Sequence, residues 1–206
     1  MSTKSEELFE AFLTANSIAF SRVEEVKEKG ARRPDYRVEV NDLKIIFEVK
    51  QLDADAAATS AKVTGIWRST PGDTLRQLIT RSKKQIQFGA EEGNPSILLV
   101  YNNADPLQYR HTAPIDFQTA IYGELTKLIE KPSLKSSELF HGRNSELQER
   151  KNTSFSAVGH LSNLGGNTTV TLWENAHAKI VLPFDQLPAC FTVHRVAIDN
   201  SPLQFT

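Results

Sequence analysis

The sequence predicts an α/β protein in which a mixed central β-sheet is flanked by helices. Three stretches carry that prediction. Residues 5–15 place Leu8, Phe9, Phe12 and Leu13 at helical spacing. Tyr36 to Val40 and Leu43 to Val49 are runs rich in Val, Ile and Phe, separated by the turn-forming pair Asn41-Asp42, which reads as a hairpin. The run SILLVY at 96–101 is almost continuously apolar, as suits a strand covered on both faces. With 206 residues the chain is long enough for one well-packed domain, 1–206, and short for two.

Taken in order, Thr3 with Glu6 forms a capping box for the first helix, and Ala15 stands at the edge of its apolar stripe. Glu6 falls at the border of that stripe beside Phe9 and Leu13, whereas Glu7 points away and Glu10 lies further round. In the second strand of the hairpin, alternation sends Ile45, Phe47 and Val49 to one face and Ile46, Glu48 and Lys50 to the other. A long connection over 52–73 contains Gly65, Trp67 and the turn-like TPGD. Asp73 then caps a helix with the stripe Leu75, Leu78, Ile79, Ser82 and Ile86. Arg81 and Gln85 flank that stripe on one side, Arg76 and Lys83 on the other. Beyond the buried strand the pattern gives a helix around 117–129 and strands near 155–161, 168–173 and 178–182. NLGGN at 163–167 reads as a turn.

Composition removes several classes. No stretch approaches eighteen consecutive apolar residues, so nothing is expected to span a membrane, and the polar, acidic start lacks the features of a secretory signal. A cytoplasmic location is therefore expected. The lone Cys190 has no partner for an internal disulfide and reads as a packing residue. The five histidines, His111, His141, His160, His177 and His194, show no ligand spacing, and neither a Walker loop nor a dinucleotide fingerprint is present. Net charge is −1, which is not that of a general nucleic-acid coating protein. Locally, however, Lys62, Arg68, Arg76, Arg81, Lys83 and Lys84 face the single acid Asp73, either as a solvated helix face or as a binding surface.

Asp35, Glu48 and Lys50 carry the chemistry, if the hairpin brings them together. Two carboxylates a few ångströms apart repel unless a proton or a cation is shared between them. Mg²⁺, with Mn²⁺ as a substitute, takes one or two carboxylates plus waters and substrate phosphate. A neighbouring lysine can orient the attacking water, help deprotonate it, or stabilise charge building on phosphorus. The trio suits phosphodiester hydrolysis. The competing reading is three charges on a solvated hairpin.

Pro34-Asp35 followed by Glu48-Val49-Lys50, with an acidic amphipathic helix before it and a basic helix and buried strand after it, resembles the PD-(D/E)xK nuclease superfamily over residues 5–101. The resemblance implies a restriction-endonuclease-like core in the order helix, strand hairpin, helix, strand, here followed by a C-terminal α/β extension. It implies that Asp35, Glu48 and Lys50 are catalytic and that Asp35 and Glu48 hold the metal. Glu6 matches the acidic position that many members place on the first helix, and Arg81 or Gln85 the polar positions on the helix after the motif strand. The expected function is Mg²⁺-dependent cleavage of nucleic acid, DNA first. Arg76, Lys83 and Lys84 would grip the backbone, and Trp67 would either stack on a base or serve as a core or lid residue. Cutting both strands of a duplex at one site would favour a homodimer. The alternative is a non-catalytic module of the same fold that binds nucleic acid or a partner protein.

Overall fold

The structure, a computed structural model, describes residues 2–24, 33–54 and 70–195. Trp67, Lys62, Arg68 and Gly65 lie outside the described residues. A seven-stranded sheet runs through the molecule in the order β1-β2-β3-β4-β7-β8-β9. Its first half is β1 (Ala19–Arg22), β2 (Tyr36–Val40), β3 (Leu43–Leu52) and β4 (Ser96–Asn102). β7 (Ala157–Leu164), β8 (Asn167–Glu174) and β9 (Phe191–His194) complete it, and β5 (Leu125–Thr126) with β6 (Phe140–His141) forms a separate two-stranded ribbon. β1–β2, β2–β3 and β7–β8 pair antiparallel, while β3–β4, β4–β7 and β8–β9 pair parallel, so the sheet is mixed. Helices cover both faces, as the sequence predicts.

Helix α1 (Lys4–Ala15) begins with the Thr3/Glu6 capping box and buries Phe9, Phe12 and Leu13 on one face of the sheet. They pack with Tyr36, Val38, Ile45, Phe47, Val49, Leu99 and Tyr101. Each such fully buried large side chain contributes roughly 1.5–3 kcal/mol. Helices α2 (Asp73–Glu91) and α3 (Pro114–Tyr122) cover the other face, where Leu75, Ile79, Ile86 and Phe117 meet Leu98, Val100, Val158 and Trp173. β4, apolar on both sides, is buried along its whole length. The β2–β3 turn places Asn41 and Asp42 at φ 47° and 64°, the left-handed pair that a tight hairpin demands.

Some elements differ from the prediction. β1 is an unpredicted edge strand of four residues, too short and too exposed to show a period. Asp73 does not cap α2: Gly72, at φ +82°, is the N-cap, and Asp73 opens the first turn by pairing with Arg76. The helix expected around 117–129 begins at Pro114 and stops at Tyr122, because Gly123 leaves helical geometry at φ +105° and the chain turns into β5. The strand expected near 178–182 is irregular. Lys179 N–H instead binds the Thr153 carbonyl at 2.7 Å, and the next strand comes later, at Phe191. Among the described residues no helix is long and apolar enough to cross a membrane.

Candidate active site

The β2–β3 hairpin brings the predicted trio together. Tyr36, Val38 and Val40 point into the α1 core, so Asp35 and Arg37 belong to the opposite face, the one that Ile46, Glu48 and Lys50 share. Asp35 lies one residue beyond the Tyr36–Phe47 pair, which sets it beside Glu48 at the point where β2 ends. Its Oδ2 accepts the Val49 N–H at 2.7 Å, and its own N–H donates to the Phe47 carbonyl at 3.1 Å. The carboxylate is thus held by the backbone of the strand that carries Glu48 and Lys50. In a strand the N–H and C=O of one residue point to the same side, so the Val49 carbonyl is aimed at this edge too.

Glu48 is 1% exposed. Its Oε1 is in contact with Lys50 Nζ, while Oε2, also buried, has no hydrogen-bond partner. Burial first, and the charge of Asp35 second, push its carboxyl up to about 7 against the opposing pull of Lys50. Asp35 is raised as well, by burial, although the Val49 N–H and Lys50 resist the shift. These are the signatures of an acid pair closer than two unshielded charges tolerate. Lys50, with its side chain 32% exposed, and the half-buried Asp35 reach toward solvent, whereas Glu48 does not.

Helix α2 forms the wall above the pair. Gly89 sits directly on β3: a Cβ there would lie 2.7 Å from Ile46 Cγ1 and would also strike Ser96. One turn toward the helix N-terminus is about 6 Å, and two residues along β3 are about 6.6 Å, so Gln85 stands above Glu48. Gln85 Oε1 is buried without a hydrogen-bond partner. The flank of α2 that carries Arg81, Gln85 and Phe88 faces β2, since the Arg33 guanidinium covers the Phe88 ring at 5.3 Å and Arg37 pairs with Glu92 at 3.1 Å. Arg81 and Gln85 therefore lie on the side of the acid pair.

The other flank faces α3. Arg76 donates from Nε to the Asn144 carbonyl at 2.9 Å, from a terminal nitrogen to Asp73 at 2.5 Å, and to the Thr119 carbonyl at 3.4 Å. With 12% of its side chain exposed, it ties α2 to the α3 side of the molecule. Lys83 is exposed on this same flank, away from the acid pair, and Lys84 points outward. A shallow groove of about 320 Å³ lined by Arg76, Gln77, Thr80, Arg81 and Glu146 does not include the acid pair. Arg76→Ala should destabilise the fold by about 1–3 kcal/mol, since its charged hydrogen bonds to the Asn144 and Thr119 carbonyls are lost, and leave the salt dependence of any nucleic-acid binding unchanged. Denaturant unfolding and binding at several salt concentrations check both.

Glu6 is near enough to Asp35 to raise its pKa, but its carboxylate is committed to the cap: Oε2 accepts the Thr3 N–H at 3.1 Å and lies 3.5 Å from Arg22. Its role is electrostatic and structural. Sequence reasoning passed over its neighbour Glu10, which accepts from the Tyr36 hydroxyl at 2.9 Å and from Arg22 Nε at 2.6 Å and so fixes α1 to β1 and β2. It also missed Arg33, whose guanidinium lies over the Phe88 ring, and Arg37, which strand alternation from Asp35 would have placed on the face of Glu48 and Lys50.

Among the described residues no group of three or more His, Cys, Asp or Glu side chains is set to hold a metal. The oxygens present are the Asp35 and Glu48 carboxylates, including the orphaned Glu48 Oε2, with the Val49 carbonyl at the same edge. That set fits a hard, well-hydrated divalent cation that completes its shell with water and phosphate, and not a thiolate- or imidazole-bound ion. Comparison with protein-family models, curated proteins and solved structures finds no match to this chain.

Proposed function

We propose that the protein is a Mg²⁺-dependent nuclease of the PD-(D/E)xK type, with Mn²⁺ as an effective substitute, hydrolysing phosphodiester bonds in DNA. One observation carries the reading: Glu48 is almost wholly buried with an unpartnered oxygen, beside a second carboxylate and a lysine. A fold gains nothing from such a pair by itself, because burying an unsatisfied charged group is destabilising. Its presence makes sense where the pair serves a cation.

When bound, Mg²⁺ draws in the scissile phosphate and makes its water a better nucleophile at neutral pH. Asp35, steered by the Val49 N–H, and Glu48, anchored on β3, would hold it. Lys50 lies at the open mouth of the site, where its ammonium can orient the attacking water and stabilise negative charge growing on the phosphoryl oxygens. Gln85 would face Glu48 from α2, and the exposed Arg33 and Arg81 would offer guanidinium contacts to a phosphate backbone, while Arg37 is paired with Glu92.

Purified protein should cut at least one form among supercoiled, linear duplex and single-stranded DNA with Mg²⁺ or Mn²⁺, and stop on addition of EDTA. Absence of cleavage of any DNA or RNA across a broad metal screen would hand the site to the binding-module reading.

A further inference from the structure

Polar side chains that a fold buries are, with few exceptions, given a partner. Among the described residues the buried serines Ser5, Ser96, Ser137, Ser145 and Ser156 each make a side-chain hydrogen bond. So does the other buried acid, Asp116, which accepts the N–H groups of Gly72 and Ala113. Ser82 on α2 does not: it is fully buried, and its Oγ has no partner. A hydroxyl inside a helix ordinarily bonds back to the carbonyl four residues earlier, as Thr80 Oγ1 does to Arg76 at 3.0 Å. Ser82 makes no such bond.

The buried side-chain oxygens without a partner, among the described residues, are Ser82 Oγ, Gln85 Oε1 and Glu48 Oε2. They belong to one layer. β3 and β4 are parallel neighbours joined through α2, so the helix runs antiparallel to both. Gly89 fixes its register over Ile46 and Ser96. From Gly89 back to Ser82 is about 10.5 Å along the helix, whereas Glu48 and Lys50 lie about 6.6 and 13 Å beyond Ile46 along β3. Ser82 is therefore level with the interval between Glu48 and Lys50, one helical turn from Gln85. Its lateral position agrees: Ile79 and Ile86, on either side of it in the stripe, pack with Leu98 and Val100, the β4 partners of Glu48 and Lys50.

All three oxygens can accept a hydrogen bond, and one carries the negative charge of a carboxylate. Such a set repels a phosphate. It matches a hydrated cation, whose water molecules turn their protons outward. We propose that Ser82 and Gln85 are positioning residues for the divalent cation: their oxygens accept hydrogen bonds from water that the cation retains between β3 and α2. The inference rests on the cation site of the nuclease reading and deepens it by assigning the site's ion selectivity. Mg²⁺ dehydrates reluctantly and keeps several waters, while Ca²⁺ takes more protein oxygens directly and in looser geometry. A wall that grips water favours Mg²⁺.

The test is a set of melting temperatures across separate Mg²⁺ and Ca²⁺ titrations at fixed ionic strength, with the full chain as wild type, Ser82→Ala and Gln85→Leu. Each variant should bind Mg²⁺ about 10–100-fold more weakly, the usual cost of losing a partner in the outer shell of a metal, with Ca²⁺ affinity changed far less. In chelator, Ser82→Ala should melt no lower than the wild type, because the hydroxyl it removes is buried without a partner. Equal losses for the two cations, or a lower melting temperature of metal-free Ser82→Ala, overturn the inference and leave these residues a packing role. If the wild type binds Mg²⁺ and both variants bind it as tightly, the inference fails and the cation site stands. If the wild type responds to neither cation, the cation site and the inference fail together.

Discussion

Lys50→Ala is expected to lower turnover by about 10²–10³-fold, the usual cost of removing one group that stabilises transition-state charge, while DNA binding measured in Ca²⁺ changes little. The split follows from where Lys50 sits. Its side chain, 32% exposed, contacts the buried Glu48 from the solvent side, where on the nuclease reading it would meet the reacting phosphate after substrate is in place. A group acting mainly in the transition state moves kcat and kcat/KM together, whereas a simple phosphate contact moves binding. Lys50 also opposes the upward push on the Glu48 carboxyl. Its removal should shift the acid limb of the residual pH–rate profile upward, because Glu48 then holds its proton more tightly. Parallel losses in binding and turnover, with an unmoved pH limb, would make Lys50 a phosphate contact and nothing more.

Glu48→Gln should stabilise the metal-free protein above pH 7. The Glu48 carboxyl has an ordinary value of 4.5 and is raised to about 7 in the fold. Between those values the native state binds more proton than the unfolded chain, so stability declines as pH rises. The fold keeps the full benefit below about pH 4.5 and has lost it once pH has passed through 7. A shift of that size corresponds to roughly 3 kcal/mol, borne by a side chain that is 1% exposed. Glutamine keeps the shape and carries no charge. Unfolding midpoints taken from pH 5 to pH 8 at fixed ionic strength, in the presence of chelator, should fall for the wild type and stay nearly flat for Glu48→Gln. A flat wild-type profile would mean that Glu48 ionises without penalty, and the acid pair would not be strained.

Much of this arrangement is legible in the sequence, for identifiable reasons. The β2–β3 hairpin carries a left-handed turn pair and strict alternation, and a strand's period of two leaves no doubt about which side chains share a face. Asp35, Glu48 and Lys50 could therefore be grouped from spacing alone. The Thr3/Glu6 box and the buried run of β4 are equally local signals. Parts of the site that depend on distant packing are not legible in this way. Arg76 reads in the sequence as one more cation flanking the stripe of α2, yet it is tied to the Thr119 and Asn144 carbonyls, contacts set by where α3 and the chain after it land. Glu10 lies round from the apolar stripe of α1, and only β1, too short to have a period, brings Arg22 against it. The C-terminal half fared worst. Gly123 ends α3 early, and β9 joins the sheet by parallel pairing with β8 across a stretch with no regular alternation.

The central claim is that Asp35 and Glu48 jointly hold a divalent cation, and thermal melts across a Mn²⁺ or Mg²⁺ titration, wild type against Asp35→Asn, test it without requiring a known substrate. Without metal, Asp35→Asn should be at least as stable as the wild type, since one of two opposed charges is gone and the amide can still accept the Val49 N–H. With metal at about a hundred times its dissociation constant, linkage adds about 2.7 kcal/mol to the wild type, a rise of roughly 5–10 °C for a chain of this size. The mutant, left with too few hard ligands, should hardly move. A saturable rise in the wild type alone is the predicted result; equal shifts in the two proteins, or none in the wild type, would contradict the claim.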